Sequence, residues 1–239
     1  MPEFVLVHGA WHGSWCWADV ADALAERGHR VTSVTLPGHS APGRRERIWN
    51  RIGEYVDAVV AAVETCSSPP ILVGHSMGGY VVQRYLESRD TAAGVLVASV
   101  PARGALAANL RTLRAHPGRT LRAMVTADYL RLVDDPDLVR ELFFTADTPA
   151  EIVDALTPRL QNESAFAINT MVFRPPQPTK VATPVHVIAA EGDTIFTLDE
   201  QHHLAAAYGT EAVVLSGGHD IMLDTSWPEL VDQLDRIAG

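Results

Sequence analysis

Hydrophobic positions along the chain fall into two alternating patterns, short runs rich in apolar residues and longer stretches with helical spacing. The short runs are Phe4-Val5-Leu6-Val7, Val31 to Thr35, Ile71-Leu72-Val73, Gly94 to Val100, Pro184 to Ala189 and Glu211 to Leu215. They predict strands, and the Gly94 to Val100 run suits one covered on both faces. Between them, Trp17, Val20, Ala21 and Leu24 give an apolar face to a helix from about Ser14 to Arg27, which Gly28 closes as a left-handed stop. Ile52, Tyr55, Val56, Val59, Val60 and Val63 mark a second helix that ends before Ser67-Ser68-Pro69-Pro70. Val81, Val82, Tyr85 and Leu86 mark a third. Strands alternating with helices predict an α/β fold with a parallel sheet and right-handed crossovers.

The rhythm breaks from Pro101 to about Lys180, where helical periodicity continues without a convincing strand. Residues 1–100 and 181–239 are therefore expected to form the core, and residues 101–180 a helical cap inserted over the sheet. Within the cap, Thr148-Pro149-Ala150-Glu151 reads as a capping box for the helix carrying Ile152, Val153, Leu156 and Leu160. Ser226-Trp227-Pro228-Glu229 reads as another, opening a last helix with Leu230, Leu234 and Ile237. The second strand ends at Leu36-Pro37-Gly38-His39-Ser40, and Ala41 to Arg51 is polar and basic, as a surface loop would be.

Composition narrows the class. The chain has 239 residues, 47% hydrophobic and 20% charged, enough apolar content for one core with an insertion and against extensive disorder. Its 19 basic and 29 acidic side chains leave a net charge of -10, which disfavours nucleic-acid binding. No run of about 18 apolar residues predicts a membrane span, and no secretory leader pattern opens the chain. Cys16 and Cys66 are its only cysteines, so a reducing cytoplasm is expected. Cys16, inside Trp15-Cys16-Trp17, reads as a small buried thiol rather than a nucleophile.

Candidate chemistry centres on Gly74-His75-Ser76-Met77-Gly78, which fits the G-x-S-x-G elbow between a strand and a helix. A serine hydroxyl is a poor nucleophile at neutral pH and needs a base, itself oriented by a carboxylate. Strand 184–189 leads into Asp193 and strand 211–215 into His219, each just past a C-terminal strand end, the edge where Ser76 emerges. Glu191, Asp199, Asp220 and Asp224 are other nearby carboxylates, Asp220 being poorly placed to reach the Nδ1 of its own neighbour. The amides of Met77 and Ala10 are the expected oxyanion donors. His8 and His12 share a turn without a supporting carboxylate pattern, and His202-His203 reads as solvated helix surface, so no metal and no other cofactor is expected.

Taken with the first loop, His8-Gly9-Ala10-Trp11-His12-Gly13-Ser14-Trp15-Cys16-Trp17, these motifs resemble the α/β-hydrolase superfamily. More narrowly they resemble its branch of small esterases, which includes plant salicylate-binding methyl esterases, hydroxynitrile lyases and bacterial relatives. The stretch from Glu141 to Pro149 is similar to the cap segment of the bacterial members. The resemblance implies a six-stranded parallel core, a triad of Ser76, Asp193 and His219, and an oxyanion hole at Ala10 and Met77. The lyases carry threonine where Gly9 stands and lysine where Asp220 stands, and both departures favour hydrolysis. Thr197 replaces a proline common after the acid.

The expected function is a serine esterase acting on a small-molecule ester through an acyl-enzyme. Trp11, His75, Phe143, Phe144, Met171 and Phe173 are the expected substrate contacts, with plain cap-to-core packing an equal reading for the last four. Two other readings stay open: a cofactor-independent oxygenase or lyase using His219 as base, and a ligand receptor with vestigial turnover. The oligomeric state is not legible.

Overall fold

The computed structural model describes residues 1–41, 43 and 48–239; residues 42 and 44–47, part of the expected basic loop, lie outside the described residues. Six parallel strands form one sheet in the order β2-β1-β3-β4-β5-β6. They are β1 (Glu3–Val7), β2 (Arg30–Val34), β3 (Ile71–His75), β4 (Ala93–Val97), β5 (Val185–Ala190) and β6 (Ala212–Leu215). The central strands β1, β3 and β4 are buried at every position, as their apolar runs require, with Glu3 and His75 the polar ends of β1 and β3. The edges β2 and β6 alternate or open to solvent.

Helices α1 (Ala18–Glu26) and α10 (Trp227–Ala238) cover one face, where Trp17, Val20, Leu24, Leu230 and Leu234 join Phe4, Leu6 and Val95 in one apolar cluster. On the other face α2 (Ile52–Glu64), α3 (Met77–Leu86) and α9 (Leu198–Ala207) pack Tyr55, Val59, Tyr80, Val81 and Leu204 against Val5, Val7 and Leu72. Between β4 and β5 the chain forms α4 (Leu106–Ala115), α5 (Pro117–Thr126), α6 (Pro136–Phe143), α7 (Ala150–Leu156) and α8 (Ala165–Phe173), with no strand among these described residues. No helix of the described residues is long and apolar enough to cross a membrane.

Several local expectations are revised. The helix expected from Ser14 begins as a 3-10 turn over Ser14–Trp17, because the Cys16 amide donates to Gly13 three residues back and the Ser14 hydroxyl turns away to Thr35. The apolar run ending at Val100 is a strand only to Val97, since Ala98 adopts φ 42° and redirects the chain. Neither expected capping box forms. The Thr148 hydroxyl donates to Asp224, and Glu229 accepts from Ser216 instead of closing on Ser226. Thr197, the residue out of line with the family's proline, does cap: its hydroxyl accepts from the Glu200 amide while Glu200 accepts from the Thr197 amide.

Candidate active site

Ser76 sits where β3 turns into α3, with φ 52° and ψ -116°, a conformation that costs a non-glycine residue energy and is held by its surroundings. The glycines around it allow the sharp turn. A Cβ at Gly74 would lie 2.4 Å from the Gly78 carbonyl oxygen, and one at Gly78 would lie 2.3 Å from the Val7 carbonyl oxygen. The Ser76 amide donates to Val97 at 3.0 Å, so the elbow is pinned to the neighbouring strand.

Strands β5 and β6 run in register to Ala190 and Leu215, and their continuations stay together through the Gly192 amide bond to Gly217 at 2.9 Å. This brings Asp193 onto His219. One carboxylate oxygen lies 2.8 Å from His219 Nδ1, and the other accepts from the amides of Ile195 at 2.8 Å and Phe196 at 3.0 Å. Asp193 thus has no rotational freedom left, and Nδ1 must be the protonated nitrogen of a neutral His219, leaving Nε2 as its basic atom. Burial disfavours the imidazolium, but the charge and hydrogen bond of Asp193, followed by the charge of Asp220, outweigh it and raise the His219 pKa above its ordinary value. The other candidate acids are elsewhere. Asp224 accepts from the Gly218 amide at 3.1 Å and holds the turn before His219, Asp199 is exposed beside His203, and Glu191 is exposed.

The loop after β1 reaches the same place because β1 and β3 are neighbours whose chains leave toward opposite sides of the sheet, the crevice position of open α/β folds. Trp11 takes φ 64°, and its carbonyl accepts from the Gln161 amide at 2.9 Å, locking the loop to the segment that precedes α8. Gly9 allows close approach: a Cβ there would lie 2.8 Å from His75 Nδ1 and 3.1 Å from Ser76 Cβ. The Met77 amide is the first of α3, so it has no intrahelical acceptor and carries the positive end of the helix dipole.

Ser76, Met77, Ala10 and Trp11 together line a cavity of about 220 Å³ roofed by α4, α5 and α8. Among the described residues its wall holds no charged side chain and is largely aliphatic and aromatic, including Leu110, Leu113, Leu132 and Ile168. Of the expected substrate contacts, Trp11, Met171 and Phe173 are on this wall. His75, Phe143 and Phe144 are not on it: the His75 ring is buried with Nε2 donating to the His219 carbonyl at 3.0 Å, and Phe143 lies near parallel to His219 at 6.1 Å. They sit back because Gly218 lets the Phe143-Phe144 backbone press against the His219 loop, where a Cβ would meet the Phe143 oxygen at 2.5 Å.

Sequence reasoning did not single out the polar residues that brace this site. Gln161, Asn162, Glu163 and Ser164 are all fully buried. Gln161 donates to the His12 carbonyl at 2.9 Å and the His39 carbonyl at 3.2 Å, and Glu163 accepts from Tyr55 at 2.9 Å and His39 at 3.0 Å. A run of Gln, Asn, Glu and Ser carries the composition of a solvated loop, so no local signal marks it as interior. Cys16 is buried, and burial followed by the charge of Asp220 pushes its thiol pKa up, opposite to what a nucleophile needs.

A sequence profile of the alpha/beta hydrolase family matches residues 4–233, and the chain belongs to that family. It is 42% identical over 86 residues to the carbendazim hydrolyzing esterase of Nocardioides sp. (strain SG-4G), covering 34% of each chain. It is 40% identical over 87 residues to methyl jasmonate esterase 1 of Vitis vinifera, covering 36% of this chain and 33% of that one. These alignments span about a third of the length of the curated relatives. Among solved structures, polyneuridine aldehyde esterase superposes over 100% of both chains with a TM-score of 0.75 at 18% identity. An extracellular alpha/beta-hydrolase from a Paenibacillus species superposes over 100% of this chain and 99% of that one, with a TM-score of 0.77 at 19% identity.

Proposed function

We propose that this protein is a serine esterase that hydrolyses small, uncharged carboxylic esters through an acyl-enzyme. The observation that carries the reading is Asp193 locked onto His219 Nδ1 at 2.8 Å, in a chain whose strained Ser76 elbow opens into an apolar cavity. In this reading His219 Nε2 takes the Ser76 proton as Oγ attacks the ester carbonyl, and the amides of Ala10 and Met77 receive the developing oxyanion, about 3 kcal/mol each by analogy with measured side-chain donors. His219 then protonates the leaving alcohol, and a water activated at the same nitrogen releases the acid. Residues 101–180 act as the cap that shapes the acyl site. An ionised substrate carboxylate would lose its hydration against that wall without a cation to meet it, so neutral acyl groups are favoured. The esterase names of the relatives from Nocardioides and Vitis vinifera agree with this chemistry.

Two features disfavour the lyase alternative. Gly9 leaves no room for the lyases' threonine, and Asp220 is fully buried and brings no cation toward Ser76. Cys16 and Cys66 are unpaired, which supports a reducing compartment such as the cytoplasm. Replacing Ser76 with alanine should lower kcat on neutral p-nitrophenyl esters by about three to six powers of ten. A fluorophosphonate should label Ser76 stoichiometrically. Near-native hydrolysis by the alanine variant would remove the assignment.

A further inference from the structure

Behind the candidate site lies a buried cluster that the proposed chemistry does not use. Asp220 is completely enclosed, and neither carboxylate oxygen has an aligned hydrogen bond. Its nearest polar neighbours are His12 Nε2, 3.0 Å from Oδ2, and His75 Nε2, 3.5 Å from Oδ1. Both imidazoles are also enclosed. His12 Nδ1 lies 2.7 Å from the Ala10 carbonyl, which only accepts, so Nδ1 carries a proton. His12 Nε2 therefore faces the Asp220 carboxylate across 3.0 Å as the free end of a ring already anchored at Nδ1. His75 Nε2 is likewise committed as a donor, to the His219 carbonyl at 3.0 Å.

The cluster joins three segments. His12 fixes the carbonyl of Ala10, His75 precedes Ser76 and holds the backbone of His219, and Asp220 follows His219 with its own amide donating to Phe143 at 3.0 Å. We propose that Asp220 is a positioning residue for the esterase reaction, using His12 and His75 to hold the Ala10 loop and His219 in register with Ser76, while its charge favours the imidazolium that forms on His219. The inference rests on the esterase reading. The titratable groups around His219 are Asp193 on the β5 loop, His75 on β3, and Asp220 itself, with His12 and the Cys16 thiol behind Asp220.

Two variants test it. Asp220→Asn keeps the shape, and its amide can donate to a neutral His12, but it removes the charge. Asp220→Ala removes the link altogether. With active sites counted by fluorophosphonate titration, the alanine variant should lose about 10²-fold in kcat, the cost of a small misplacement of reacting groups, with KM within about twofold. The asparagine variant should lose less, and the acid limb of its kcat/KM profile should move to lower pH, because His219 loses a stabilising negative neighbour. A merely structural aspartate would lower the fraction of titratable sites without moving that limb. Kcat per titrated site within about twofold of wild type in the asparagine variant, with an unmoved limb, overturns the proposal even if the alanine variant does not fold. Loss of activity on Ser76→Ala with unchanged Asp220→Asn would sink this inference alone, whereas an active Ser76→Ala would sink the esterase reading beneath it.

Discussion

Glu163 offers the sharpest test of what holds the helical segment onto the sheet. It is fully buried, as is His39. One carboxylate oxygen accepts from the Tyr55 hydroxyl at 2.9 Å and the Ser164 amide at 2.6 Å, and the other from His39 Nε2 at 3.0 Å. His39 Nδ1 lies 3.2 Å from the Pro37 carbonyl, so both ring nitrogens donate and His39 is an imidazolium. Although burial opposes that charge, Glu163 more than compensates and holds the His39 pKa above its ordinary value. Glu163→Ala would strand that cation and two donors, a loss of about 3–5 kcal/mol. At this chain length it corresponds to a Tm lower by about 6–20 °C. Glu163→Gln should fall within about 1.5 kcal/mol of wild type, because its carbonyl can still accept from Tyr55 and its amide can donate to a neutral His39. Because the folded His39 pKa is raised, its contribution is complete below the unfolded value of about 6.5 and fades as pH rises through the folded value. The advantage of wild type over Glu163→Gln should therefore grow as pH is lowered from about 8 to 6. Urea unfolding followed by the fluorescence of the five tryptophans measures each difference. A cost below about 1 kcal/mol for the alanine variant, or equal costs for both variants, would refute the buried ion pair.

Further outcomes follow from the same geometry. Asp193→Asn should fold normally yet lower kcat by about 10⁴-fold, since an amide would no longer hold the Nδ1-protonated tautomer; steady-state kinetics beside circular dichroism decide it. The acid limb of kcat/KM for the wild type should lie above about 6.5, reflecting the raised His219 pKa, and a limb below 6 would contradict the Asp193 contact. Gly9→Thr should abolish ester turnover, because its Cβ meets His75 Nδ1 at 2.8 Å and His75 is already bonded to the His219 backbone; fluorophosphonate labelling of Ser76 should slow in parallel. Cys16 should resist iodoacetamide in the native protein and react on unfolding, as mass spectrometry would show.

Much of the sheet was legible before any coordinates. The runs at Phe4–Val7, Ile71–Val73 and Pro184–Ala189 are apolar because both faces of central strands are covered, and β1, β3 and β5 occupy those places. Strand ends are also where Asp193 and His219 were expected, and the two lie 2.8 Å apart past the ends of β5 and β6. Local rules failed where a distant partner competed for the same atoms. Thr148 has the sequence of a cap, but Asp224 takes its hydroxyl, and the helix from Ser14 yields its first turn to the contact with Thr35.

By itself, then, the sequence determined the order of strands and helices, the turn at Ser76 and the positions of Asp193 and His219 just past strand ends, because hydrophobic period and turn chemistry are local properties. Only the tertiary structure decided that Phe143 and Phe144 stand behind the cavity while Trp11, Met171 and Phe173 face it, and that Glu163 and Asp220 are interior. A charged residue is tolerated inside only when partners far away in the chain meet it. His39 stands 124 residues from Glu163, and the partners of Asp220 come from the ends of β1 and β3, distances over which no sequence period reports.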